Sequence, residues 1–147
     1  MKQDRPAEKG HIGDRPVSLQ VGALCLRLRD GKTQVLLITS RDTGRWVIPK
    51  GWPMRGRSLS GAARQEAWEE AGVKGKIAKE PIGEFHYDKI LDDGSAAPID
   101  VVVFPLRVEQ LEKAFPEAHQ RKRKWFSPKS AAKNVHEEGL QQILRDL

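Results

Sequence analysis

Cysteine is nearly missing from this sequence. One thiol, Cys25, stands among 147 residues, which excludes an internal disulfide. It lies in an apolar stretch and reads as a buried structural thiol. The four histidines, His11, His86, His119 and His136, are scattered without zinc-ligand spacing, so a structural zinc site is not expected. Long apolar runs are missing too: nothing approaches the roughly 20 residues that span a bilayer, and no membrane partner is expected. Residues 1–16 are polar and charged, with neither the apolar stretch nor the small-residue cleavage site of a secretory signal, which makes the cytoplasm the default compartment. Aromatic residues make up only 6% of the chain, and Trp125-Phe126 is the one pair set against a basic run. Single-stranded RNA is usually met by aromatic platforms interleaved with cations, so nucleic acid is not an expected partner. Internal repeats and low-complexity tracts are also lacking.

What is present fits one soluble globular domain. Charged residues are 31% and hydrophobic ones 38% of a chain whose length suits a single core. Residues 1–16, with Pro6, Gly10, Gly13 and Pro16 among charges, read as a loosely ordered lead-in, and residues 17–147 as the domain. The net charge of +6 attracts polyanions of any kind and does not choose among them.

Apolar patterning predicts a strand over 17–28, a hairpin turn at Arg29-Asp30-Gly31-Lys32, and an antiparallel partner over 34–39. A short strand over 46–48 is stopped by Pro49, and a loop rich in glycine and proline follows over 51–57. Residues 58–71 read as a helix with Ser58 as N-cap and Gly72 as its C-terminal stop. Further strands are expected over 76–79, 82–87 and 99–108, with a turn at Asp92-Asp93-Gly94 between the last two. A C-terminal helix is expected over 130–147, or at least 137–147. Strands that outnumber helices without strict alternation imply an α+β fold with a mixed sheet.

On the helix over 58–71, a projection at 100° per residue sets Leu59, Ala62, Ala63, Glu69, Glu70 and Val73 within about 60° of Glu66. Three carboxylates spaced i, i+3, i+4 repel one another, and a hard divalent cation would relieve them, since magnesium favours carboxylate oxygens and leaves positions for phosphates. The plainer alternative is a solvated acidic face, and Trp68 on the opposite side blurs the inward stripe.

The segment ahead of the helix extends the pattern. Gly51-Trp52-Pro53-Met54-Arg55-Gly56-Arg57 and the helix through Gly72-Val73 together resemble the Nudix box, GX5EX7REUXEEXGU with U a bulky aliphatic. Gly51, Glu66, Glu69, Glu70, Gly72 and Val73 match at the box's spacing, and Ala67 holds an aliphatic position with a small side chain. Two positions depart: Arg57 stands where the box has glutamate, and Gln65 where it has arginine. The resemblance implies an α/β/α sandwich and hydrolysis of a pyrophosphate bond. It also implies magnesium, with manganese able to substitute, held by Glu66, Glu69 and Glu70 and the carbonyl of Gly51. Glu69 is then either a ligand or the group that orients and deprotonates water.

Arg41, Arg45 and Lys50 flank the strand leading into the box and resemble phosphate contacts of the branch acting on diphosphoinositol polyphosphates and diadenosine polyphosphates. Trp46 to Trp52 and Arg123-Lys124-Trp125-Phe126 resemble that branch as well. The expected partner is thus a small-molecule polyphosphate, and the expected assembly a monomer or homodimer. The run from Arg121 to Lys124 reads as an exposed edge, and Trp125 and Phe126 as packing at a strand end. ADP-ribose, NADH and nucleoside triphosphates are the competing substrates. The two departures motivate a rival from another class, a degenerate module that binds a nucleotide or RNA without cutting it.

Overall fold

The computed structural model describes residues 8–12 and 15–147, with side chains from residue 17 onward. Its strands, in chain order, are β1 (Glu8–Ile12), β2 (Arg15–Arg29), β3 (Lys32–Thr39), β4 (Trp46–Val47), β5 (Lys50–Gly51), β6 (Val73–Ile77), β7 (Gly83–Ile90), β8 (Ala96–Leu111) and β9 (Arg123–Phe126). The helices are α1 (Leu59–Ala71), α2 (Pro128–Asn134) and α3 (Glu138–Arg145).

One mixed sheet carries them. Its spine runs β4-β3-β2-β8-β6, with β5 and β1 added to β2, β7 to β8 and β9 to β3. The central pairing, β2 with β8, is parallel from Ser18 opposite Ile99 to Leu26 opposite Arg107, and the other pairings among the described residues are antiparallel. The expected hairpin forms at Asp30 and Gly31, both with positive φ, as a two-residue turn requires.

Side chains alternate across the strands, so the sheet has two apolar faces. Val21, Ala23 and Cys25 of β2 and Leu36 and Ile38 of β3 face α1, while Leu24, Val35 and Leu37 face α2 and α3. This is an α/β/α sandwich, and the α+β expectation holds. On its inward side α1 offers only Ala62, Ala63, Ala67 and Ala71 as apolar groups, all buried. Each contributes less than the ~1.5–3 kcal/mol of a buried leucine. Small side chains let the helix axis approach the sheet closely, which brings Glu66 and Glu70 against β5. The stripe begins at Ala62; Leu59, expected to face inward, is 37% exposed. Gly72 ends the helix with φ of 67°, the left-handed conformation the C-terminal stop demands.

Two expectations need correction. The C-terminal helix is two helices: Ser127 caps α2 ahead of Pro128, Val135 turns extended with ψ of 155° and is buried, and α3 begins after Glu137. Burying Val135 outweighs continuing the helix. The strand expected over 76–79 starts at Val73, directly after Gly72. Within the lead-in, Glu8–Ile12 pairs with β2, while residues 1–7 and 13–14 lie outside the described residues. No helix among the described residues is long and apolar enough to cross a membrane.

Trp125 and Phe126 pack as expected. Phe126 is buried and meets Trp46 edge-on at 5.0 Å between ring centroids, and Arg27 lies 4.0 Å over the Trp125 ring. Cys25 is fully buried, and its thiol is pushed up to about 12 by burial and by the negative charge of Glu70. At pH 8 the native protein should therefore resist iodoacetamide, while urea-unfolded chain is alkylated; mass spectrometry of the two samples decides, and rapid native labelling would refute the buried thiolate-free state.

Candidate active site

Strand β5 is two residues long because it needs only to set one backbone segment beside the helix. It pairs with Val21 and Gly22 of β2, and α1 lies across it. The backbone N–H of Lys50 donates to Oε1 of Glu70 at 3.3 Å. At Gly51 the approach is closer still: a Cβ there would overlap the Glu66 carboxylate and fall 2.9 Å from Oε1. Only glycine fits between strand and acid. Glu66 is fully buried and Glu70 is 5% exposed.

Glu70 has a further partner that the sequence concealed. Arg121 sits 3.7 Å from Glu70 Oε1, donates to Glu117 Oε1 at 2.8 Å and to the Thr39 carbonyl at 3.1 Å, and its side chain is 10% exposed. It is therefore a buried ion-pair residue, not part of an exposed edge. Four adjacent cations look alike in sequence; the pairing of β9 with β3 is what turns this one inward. Glu69 is held differently, by Gln65, whose Nε2 donates to Oε2 at 2.9 Å. The departure from arginine thus still supplies a donor to the acid face. Arg57, the other departure, is exposed.

Beyond Glu70 the surface opens into a cleft with two lobes. One, about 300 Å³, is lined by Arg41, Lys50, Gly51, Glu70, Lys89 and Arg121, with Gln20, Trp52 and Tyr87 on its walls. The other, about 290 Å³, shares Lys50, Tyr87 and Lys89 and adds Arg45, Trp46 and His136. Arg41, Arg45, Lys50, Gly51 and Glu70 are therefore brought together, Glu66 lies behind Gly51, and Glu69 lines neither lobe. Besides Arg121, sequence reasoning missed Lys89, Trp52, Tyr87 and Gln20. Tyr87 donates to Gln20 at 2.7 Å, and burial raises its pKa well above the ordinary tyrosine value. Lys50 is pulled below the usual lysine value by burial, with Glu70 opposing the shift. A lysine of this kind can meet an anion without a full hydration shell to shed.

Whether a divalent cation fits can be tested on the donors. Among the described residues no three His, Cys, Asp or Glu side chains form a group able to hold a metal ion. Magnesium does not require three: it binds through one or two carboxylates and keeps waters and substrate phosphates in its other positions. Glu66 and Glu70 are i, i+4 neighbours on one helix face, and the glycine beside them leaves the space that any Cβ would fill. Two hard oxygen donors with a backbone segment at that distance suit such an ion.

Comparison with known proteins identifies the family. The family model described as NUDIX domain matches residues 18–147. The chain is 31% identical over 126 residues to Nudix hydrolase 13, mitochondrial, of Arabidopsis thaliana, covering 80% of this chain and 60% of that protein. It is 32% identical over 138 residues to diphosphoinositol polyphosphate phosphohydrolase 3-alpha of Mus musculus, covering 87% and 80%. The chain spans about 60% of the length of the first plant relatives it matches. Among solved structures, the Ap4A hydrolase of C. elegans has a TM-score of 0.62 at 22% identity over 88% of this chain and 94% of that one. The E. coli dihydroneopterin triphosphate pyrophosphohydrolase has 0.67 at 16% identity over 88% and 93%. At such identities these two establish the shared fold.

Proposed function

The chain belongs to the NUDIX family, and from that premise we propose that it is a divalent-metal-dependent hydrolase of a pyrophosphate bond in a small polyphosphate. The substrates favoured are diphosphoinositol polyphosphates and diadenosine polyphosphates. The observation that carries the proposal is the packing of buried Glu66 against Gly51, with Glu70 reaching from the same helix face into a lobe it shares with Arg41, Lys50, Lys89, Arg121 and one further acid, Asp42.

In this reading Glu66, Glu70 and the Gly51 carbonyl hold magnesium, for which manganese can substitute. The ion supplies charge neutralisation to the phosphoryl oxygens and acidity to bound water. The chain's own residues do the rest. Arg121 and the Lys50 N–H fix the direction of Glu70, so the carboxylate is oriented before substrate arrives. Gln65 does the same for Glu69, to which this reading gives the role of orienting or deprotonating water. Arg41, Arg45, Lys50 and Lys89 face the anionic chain of the substrate, where charge grows as the bond breaks. One relative supports this substrate choice by name, the diphosphoinositol polyphosphate phosphohydrolase of Mus musculus. A cytoplasmic location and a monomeric or homodimeric state complete the proposal.

The test is product release, with and without magnesium, from a diphosphoinositol polyphosphate, diadenosine tetraphosphate to hexaphosphate, ADP-ribose, NADH and nucleoside triphosphates. Metal-dependent cleavage of either favoured class is the expected result. Cleavage confined to the last three moves the substrate elsewhere in the family, and silence from folded protein favours the binding-module rival.

A further inference from the structure

The outer side of α1 carries features that neither the core nor the cleft uses. Trp68 is half-buried yet belongs to neither apolar cluster, whereas Trp46, Trp52 and Trp125 each pack against one. Beside it lies a cavity of about 550 Å³, lined by Arg57, Arg64, Gln65, Trp68, Lys74 and Glu109 among others. That size falls within the ~300–1,000 Å³ of small-molecule sites. Both positions that depart from the box line this one cavity.

Its charge is one-sided. Glu109 lies 3.9 Å from Arg107, and Glu112 lies 3.4 Å from Lys74, so the nearby acids already face cations. Arg57 and Arg64 form no ion pair among the described residues. Lys74 stands 5.3 Å over the Trp68 ring. An indole with a planar face, flanked by two arginines and a lysine, offers stacking and anion recognition in one place. Gln65 forms part of the wall and also donates to Glu69, so the cavity and the acid face share a hydrogen bond.

We propose that this cavity is a second ligand site, for a nucleoside phosphate, with the base on Trp68 and the phosphate on Arg57, Arg64 and Lys74. The site is separate from the cleft and does not depend on which pyrophosphate the cleft receives. A planar base uses the indole that the fold leaves outside its cores, and the phosphate uses two arginines that form no ion pair among the described residues, together with Lys74, which it shares with Glu112.

AMP is the probe, followed through the tryptophan indole N–H signals in a ¹⁵N NMR titration, with the Trp68 signal assigned by its loss in Trp68→Phe. AMP is expected to move the Trp68 signal saturably. The Arg64→Ala/Lys74→Ala double variant, with its Trp46 and Trp52 signals in place as proof of fold, should raise the dissociation constant at least about tenfold. Turnover of the cleft substrate without AMP should be unchanged in that variant. The proposal is overturned if the Trp68 signal stays fixed while Trp52 in the cleft moves. It is equally overturned if inorganic phosphate binds as tightly as AMP, which would leave an anion site alone, or if a short oligoadenylate binds far more tightly, which would make the face a nucleic-acid surface.

Discussion

Glu70→Gln is expected to lower turnover by about a hundredfold or more while the protein stays folded. The substitution keeps the shape of the side chain and its bond from the Lys50 N–H, and removes the charge that a hard cation would need. Its effect on stability should be smaller. Arg121 loses one partner but keeps Glu117 at 2.8 Å and the Thr39 carbonyl at 3.1 Å, so the cation is not stranded. A loss of about 1 kcal/mol follows, well short of the ~3–5 kcal/mol for leaving a buried charge alone. Rates and urea melts of the two proteins separate these effects. An unchanged rate would remove Glu70 from the site, and loss of the folded transition would make its role structural.

Gly51→Ala should be the more damaging change to the architecture. The new Cβ would land on the Glu66 carboxylate, and neither side has room to yield. The strand is fixed by its pairing with Val21 and Gly22, and Glu66 is buried without exposed surface toward which to swing. Overpacking of this kind costs about 1–3 kcal/mol, and displacement of Glu66 adds a loss of activity of about a hundredfold. The signature is a raised magnesium requirement in a rate titration, alongside a lowered melting temperature. If the alanine variant keeps both the wild-type rate and the wild-type metal dependence, Gly51 and Glu66 are not working together.

Much of this arrangement was legible in the sequence because it is local. Gly51 and the three glutamates sit within one strand, loop and helix, and the cap at Ser58 and the stop at Gly72 fix where the helix begins and ends. Their spacing therefore carries over directly into space. Arg121 was hidden because its burial depends on β9 pairing with β3, and an isolated run of cations carries no record of which one a distant strand will cover. The break at Val135 was hidden for a similar reason: helix periodicity continues through it, and only the apolar face beneath α2 and α3 makes burial of that valine worth an interrupted helix. Gln65 is a different case. As a departure from the box it motivated the rival that binds without cutting, yet an amide one turn before Glu69 can still donate to it.

The parallel ladder between β2 and β8 sets an order of events. Residues 18–26 find their partners only at 99–107, so the whole of β5 and α1 lies inside the loop that this pairing closes. During synthesis, a nascent chain that has emerged only as far as residue 98 already possesses every glutamate of the site and Gly51, but has no central partner for β2. Nonlocal closure of that kind is slow compared with helix formation. The segment that carries the acids can thus form locally well before its sheet is closed, and Arg121, the buried partner of Glu70, emerges later still, which makes completion of the candidate site a late step of folding.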